Sequence, residues 1–150
     1  MTVINYFECK DKQHWLDEIM VCGWRAGQYL YELLSSGKLF EMTGESSQLL
    51  LLTDSERLVS FCTLAERDDI PDSGLSPWIG FVYTYPEFRG RHCAGQLLRE
   101  AEVKAKLMGF KRVYISTTHI GLYEKYGWEF FDMMDDMDGE PSRVYVKRIH

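Results

Sequence analysis

Trp78-Ile-Gly-Phe-Val-Tyr-Thr-Tyr-Pro-Glu-Phe-Arg-Gly-Arg-His-Cys-Ala-Gly-Gln-Leu-Leu98 is the stretch on which the fold turns. Trp78 to Thr84 reads as a strand. Pro86 forbids its continuation inside a sheet, because proline has no N–H to donate. Arg89 to Gly95 are small and basic, and they open straight into a helix. Ala94, Leu97, Leu98, Ala101, Ala105 and Met108 form its apolar stripe. A helix start offers unpaired N–H groups and a partial positive charge. Small residues let an anion approach them, and Arg89 and Arg91 add full charges. A strand, a basic glycine-containing turn and a helix make a pyrophosphate site by physics. The turn alone is equally compatible with Gly90 and Gly95 shaping a plain surface turn. No Gly-Lys-Ser/Thr follows, so it is not a Walker loop, and the triple-glycine dinucleotide fingerprint is absent.

The flanking elements follow from periodicity. Asp11 can cap a helix through about Cys22, with Trp15, Ile19 and Cys22 on one face. Ala26, Leu30, Leu33 and Leu34 mark a second helix closed by Gly37. Gln48 to Thr53 is a continuous apolar run, expected as a strand buried on both faces. A turn at Asp54-Ser55 leads to a strand over Leu58 to Ala65, and Asp68 to Pro77 is a loop. After the long helix, Gly109 stops it and Arg112 to Ser116 is a short strand. Thr118 can cap a brief helix ending at Gly127. Trp128 to Met133 and Arg143 to Ile149 are final strands around an acidic loop, and Thr2 to Phe7 is a candidate first strand. Mixed elements in this order imply one α+β domain over residues 1–150 with a single central sheet.

Composition narrows the class. The 150 residues carry 17 basic and 23 acidic side chains, a net charge of −6. Nucleic acid and anionic membrane surfaces are poor partners for such a chain. The charge is uneven. Glu87 to Arg112 holds seven Lys/Arg against three Glu, whereas Glu129 to Glu140 holds six acids and no base. No leader or membrane span is visible, and the four cysteines (9, 22, 62 and 93) form no Cys-x-x-Cys pair. Free thiols and a cytoplasmic location are the expectation. Cys9, His14 and Cys22 lack zinc-ligand spacing, and the acidic loop lacks calcium-loop oxygens, so no metal is expected.

Arg89-Gly90-Arg91-His92-Cys93-Ala94, after Thr84-Tyr85-Pro86, resembles the acetyl-CoA-binding motif of the GNAT superfamily of N-acetyltransferases. That motif reads Arg/Gln-x-x-Gly-x-Gly/Ala. Ala94 fits its sixth position, and His92 stands where the fourth is usually Gly. Gly121-Leu122-Tyr123-Glu124-Lys125-Tyr126-Gly127-Trp128 resembles the family's later motif, Leu/Phe-Tyr-Glu-Lys-x-Gly-Phe. The family's frequent Asn before that helix is missing; Ser116 to His119 occupy its place. The two motifs stand in the right order among the right elements.

The resemblance implies a mostly antiparallel sheet, flanked by helices, whose fourth and fifth strands splay apart. It implies acetyl-CoA as co-substrate, with the pantetheine arm in that gap beside the backbone of Val82 and Thr84. The phosphates would lie on Arg89, Gly90 and the turn amides of Arg91, His92, Cys93, Ala94, Gly95 and Gln96. The amine would attack the thioester directly, through a tetrahedral intermediate. Tyr123 falls where the family often places the acid that protonates the departing thiolate; a core aromatic is the alternative for it. The base is open among Glu66, Asp68, Asp69 and His119, with Glu87 facing solvent, and a base-free route through water is the further alternative. The acidic stretches Glu66 to Asp72 and Asp132 to Glu140 suggest a cationic small-molecule or peptide amine as acceptor. A non-catalytic acyl-CoA-binding module is the main alternative, and an acetyltransferase acting on charged tRNA is disfavoured by the acidic balance. Trp15, Trp24 and Tyr145 could form a homodimer face or belong to the core.

Overall fold

Four consecutive leucines, Leu49–Leu52, run through the middle of β2 (Gln48–Asp54), and none exposes any surface. Neighbouring side chains on a strand point to opposite faces, so both faces of the sheet are covered here. The cover comes from α1 (Lys12–Met20), which packs on β3 (Arg57–Ala65), from α2 (Arg25–Ser35), which packs on β4 (Trp78–Thr84), and from α4 (Cys93–Leu107). The computed structural model describes all residues, 1–150. β1 (Thr2–Asn5), β5 (Arg112–Thr117), β6 (Glu129–Asp135) and β7 (Pro141–Arg148) complete a seven-stranded sheet in the order β1-β2-β3-β4-β5-β7-β6. Every neighbouring pair is antiparallel except β4 and β5, which are parallel.

Most expected elements are present within a few residues, including the first strand. The differences have local causes. The Asp11 side chain makes no capping bond, and α1 begins at Lys12. The hairpin turn sits one residue later than expected, at Ser55-Glu56, because Asp54 still pairs with Arg57. The helix expected from Thr118 shrinks to one 3-10 turn, Glu124–Tyr126. The Glu124 carboxylate, not Thr118, supplies the local cap; it accepts from the Gly121 N–H at 3.1 Å. The five-residue helix α3 (Leu39–Thr43) is too short to show a period, but it buries Leu39 and Thr43. Trp15 and Tyr145 are buried, which removes both as surface contacts, and Trp24 stacks on Tyr83 with ring centroids 5.3 Å apart. No helix is long and apolar enough to cross a membrane.

One core of 29 buried residues joins β2, β3 and the helices that flank them. Leu50 sits in it with no exposed surface. Leu50→Ala should therefore lower the unfolding free energy by about 2–5 kcal/mol, seen as a lower urea midpoint at unchanged slope.

Candidate functional site

β4 and β5 meet over only two residue pairs, Trp78 with Tyr114 and Ile79 with Ile115, and then diverge. The cause lies on the other side of β4. Along β3, Phe61 pairs with Tyr83 and Thr63 with Gly80, so Phe81 and Val82 together face the one residue Cys62. This extra residue is a β-bulge, which bends and twists the strand that carries it. Phe81 takes a left-handed backbone, φ 50°, which is rare for a bulky side chain and marks local strain. Past the bulge, the Tyr83 carbonyl accepts from Ser60 on β3 at 2.6 Å, and the Tyr85 N–H donates to the Val59 carbonyl. Backbone groups alternate along a strand, so those of Thr84 point away from β3, while Val82 lies in the bulge itself.

At the end of β4 the chain turns into α4 through two left-handed residues, Gly90 (φ 82°) and His92 (φ 57°). His92 thus adopts the conformation for which glycine is favoured, with its side chain exposed. No side chain caps α4. The first helical bond runs from the Gln96 N–H to the His92 carbonyl, so the Gln96 amide is engaged and cannot serve an anion. The amides from Arg91 to Gly95 take no backbone acceptor and remain available. Arg91 is exposed. Arg89 turns back instead, its Nε donating to the Thr84 carbonyl at 3.0 Å with the guanidinium over the Tyr83 ring.

A cavity of about 630 Å³ opens beside the bulge. Trp24, Tyr29 and Met42 form an aromatic and apolar wall from α2, α3 and the loop before them. Gly80, Phe81, Val82 and Tyr123 also line it. The charged lining is Asp68, Asp69, Asp136 and Asp138, with His119 at the rim and no Lys or Arg. The Asp68 carboxylate lies directly on the Gly80 backbone, where any Cβ would collide with its Oδ1. Desolvation first, then the neighbouring Asp69 charge, push the Asp68 carboxyl up to about 8. Asp69 is raised too, chiefly by desolvation, and its Oδ1 is enclosed without a hydrogen-bond partner. Ser116 and Ser142 link across the floor, Oγ to Oγ, at 2.6 Å.

Tyr123 is 5% exposed and packs edge-on against Trp128, with centroids 6.2 Å apart. Burial raises its phenol, and the nearby Cys62 thiol, itself pushed up to about 12 by burial, adds to the shift. Tyr123 is therefore both a core aromatic and a wall of the cavity. The structure brings Asp69, His119, Val82 and Tyr123 to one place. It does not bring Glu66, whose carboxylate turns away to accept from Ser46 Oγ at 2.7 Å. Glu87 stays outside as well, 3.9 Å from Arg57. The aromatic wall went unread because Trp24 and Tyr29 belong to an ordinary helical pattern. Asp68 carried a usable signal: a lone glycine inside a strand, Gly80, marks a close approach.

The model of the acetyltransferase (GNAT) family matches residues 11–128. No curated protein matches. Among solved structures, an aminoglycoside 6'-N-acetyltransferase complexed with coenzyme A is similar at 12% identity and TM-score 0.70, covering 100% of this chain and 98% of that one. The aminoglycoside 6'-N-acetyltransferase from Enterococcus faecium is similar at 14% identity and TM-score 0.71, covering 100% and 98%. A GNAT family acetyltransferase from Elizabethkingia anophelis with acetyl-CoA bound is similar at 16% identity and TM-score 0.65, covering 98% and 97%. At these identities the likeness is one of fold.

The enclosed Asp68 has a thermodynamic consequence. Its folded value lies far above the ordinary 3.8, so the native state keeps a proton that the unfolded chain releases. That stabilisation is full below about pH 4 and is lost as pH rises through about 8. Asp68→Asn, which does not titrate, should gain stability relative to the parent protein as pH rises from about 4 to about 8, read as urea midpoints. A difference that does not change with pH would count against the enclosed carboxylate.

Proposed function

The chain belongs to the acetyltransferase (GNAT) family, and from that premise we propose that it moves an acetyl group from acetyl-CoA to the primary amine of a cationic acceptor. Residues 1–150 act as one such domain in this reading. The observation that carries it is that Val82 beside the strand gap, the Asp68 carboxylate and Tyr123 all border one cavity.

Each part has a physical task. The unpaired amides from Arg91 to Gly95, at the positive end of α4, take the pyrophosphate. The pantetheine amides pair with the free edge of Val82 and Thr84 as an added strand would. The Thr84 carbonyl becomes available when Arg89 leaves it, and the released guanidinium reaches a phosphate. A bulge amide polarises the thioester carbonyl and holds the developing oxyanion. An alkyl ammonium has no lone pair, so a base must take its proton before attack. Asp68 does so, and its raised pKa suits it to the task near neutral pH. The departing thiolate takes its proton from Tyr123, which burial keeps protonated at every working pH.

Four carboxylates and no Lys or Arg line the cavity, which favours a positively charged acceptor. Structural relatives named for aminoglycoside acetylation share the fold, and aminoglycosides are polyamines of this kind. A non-catalytic acyl-CoA-binding module rests on the lack of a base; an enclosed carboxylate in the same cavity as Tyr123 favours turnover.

Thiol release from acetyl-CoA should be fastest with aminoglycosides, polyamines or lysine peptides, and a panel led by neutral or anionic amines would overturn the acceptor class. Tyr123→Phe should lower kcat by about 10²-fold or more where chemistry limits turnover. kcat/KM should rise with pH through about 8, since Asp68 must be ionised to act, and Asp68→Asn should lose both that limb and most of the rate.

A further inference from the structure

The turn that carries Tyr123 is joined to α4 at two points, one of them in the helix's first turn. The first is a contact of ring on backbone. Tyr126 lies so close over Gly95 that a Cβ there would meet its Cε1 at 2.6 Å. Glycine is a poor helix former, and nothing about Gly95's own backbone requires it. What requires it is the space taken by the Tyr126 ring. The second join runs through Lys147 of β7. Its Nζ donates to the Tyr126 carbonyl at 2.7 Å and pairs with Glu102 of α4 at 3.2 Å.

From Tyr126 the connection to Tyr123 is short and stiff. The Tyr123 carbonyl accepts from the N–H of Tyr126 at 3.0 Å and of Trp128 at 3.2 Å, which closes the turn. Its ring is held between Trp128 and Tyr145. The α4 turn and the tyrosine turn are therefore one body, although about thirty residues of chain separate them.

We infer that Tyr126, seated on Gly95, is a positioning residue that ties the place of the Tyr123 hydroxyl to the helix start where the cofactor phosphates bind. This rests on Tyr123 being the acid. The reason is geometric. The phosphates set where the sulfur sits, and proton transfer to sulfur tolerates little misplacement. If the phosphate turn and the phenol were carried by independent bodies, their separation would vary. With Tyr126 on Gly95, both share one reference frame.

Gly95→Ala is the informative variant. It keeps the backbone amide, and its methyl displaces the Tyr126 ring, so kcat should fall about ten- to a hundredfold, well beyond any loss of coenzyme A affinity. Tyr126→Leu, which removes the ring and leaves Gly95 untouched, should lower kcat by about tenfold or more as well. In a Tyr123→Phe background, Gly95→Ala should cost little more, since its effect acts through the missing hydroxyl. The inference is overturned if kcat of Gly95→Ala is unchanged, if coenzyme A affinity falls in step with the rate, or if the loss is equal in both backgrounds. Tyr123→Phe at full rate would sink the acid assignment itself, and the tie with it. A slow Tyr123→Phe enzyme with additive losses sinks only the tie.

Discussion

The single extra residue that β4 carries opposite Cys62 parts the sheet, and the rest of the site follows from that parting. A regular β4 would continue to pair with β5, and its outer edge would be consumed by the ladder. The bulge at Phe81 and Val82 goes with the end of that pairing after Ile79, beyond which the β5-facing edge of β4 has no strand partner. Unpaired strand edges are ordinarily a liability in a folded protein. Here the edge lies between two diverging strands. The left-handed Phe81 is the local cost of this arrangement.

The same bulge organises the electrostatics. Gly80, next to Phe81, lets the Asp68 carboxylate lie on the strand, and that close seat removes it from water. Asp69, Asp136 and Asp138 gather around the same cavity with no basic side chain among its lining. At the other end of β4, the open amides of the α4 turn and two arginines make a positive region. The net charge of −6 therefore conceals two opposed local fields along one strand. An anionic cofactor tail and a cationic acceptor would each meet the matching field, and would approach each other at the bulge.

How much of this the sequence disclosed can be argued residue by residue. Leu49–Leu52 announced a strand buried on both faces because no other environment suits four adjacent leucines. The α4 stripe and its basic turn were legible because helix periodicity and glycine placement are local properties. Asp68 against Glu66 was not decidable in that way. They lie two positions apart beyond the end of the same strand, yet one reaches Gly80 and the other reaches Ser46. That outcome depends on how the loop folds against β4 and α3. The Gln96 amide and the Arg89 guanidinium were likewise spent on partners that only the folded turn provides.

Length, charge pattern, helix stripes and two short motifs determined the architecture and the family, because each is a property of neighbours along the chain. The tertiary structure alone decided which carboxylates share a cavity, that Tyr123 is a core aromatic and a cavity wall at once, and that Tyr126 sits on Gly95. These are distances between residues far apart in sequence. They are fixed by close packing and by one bulge, and no local pattern records them.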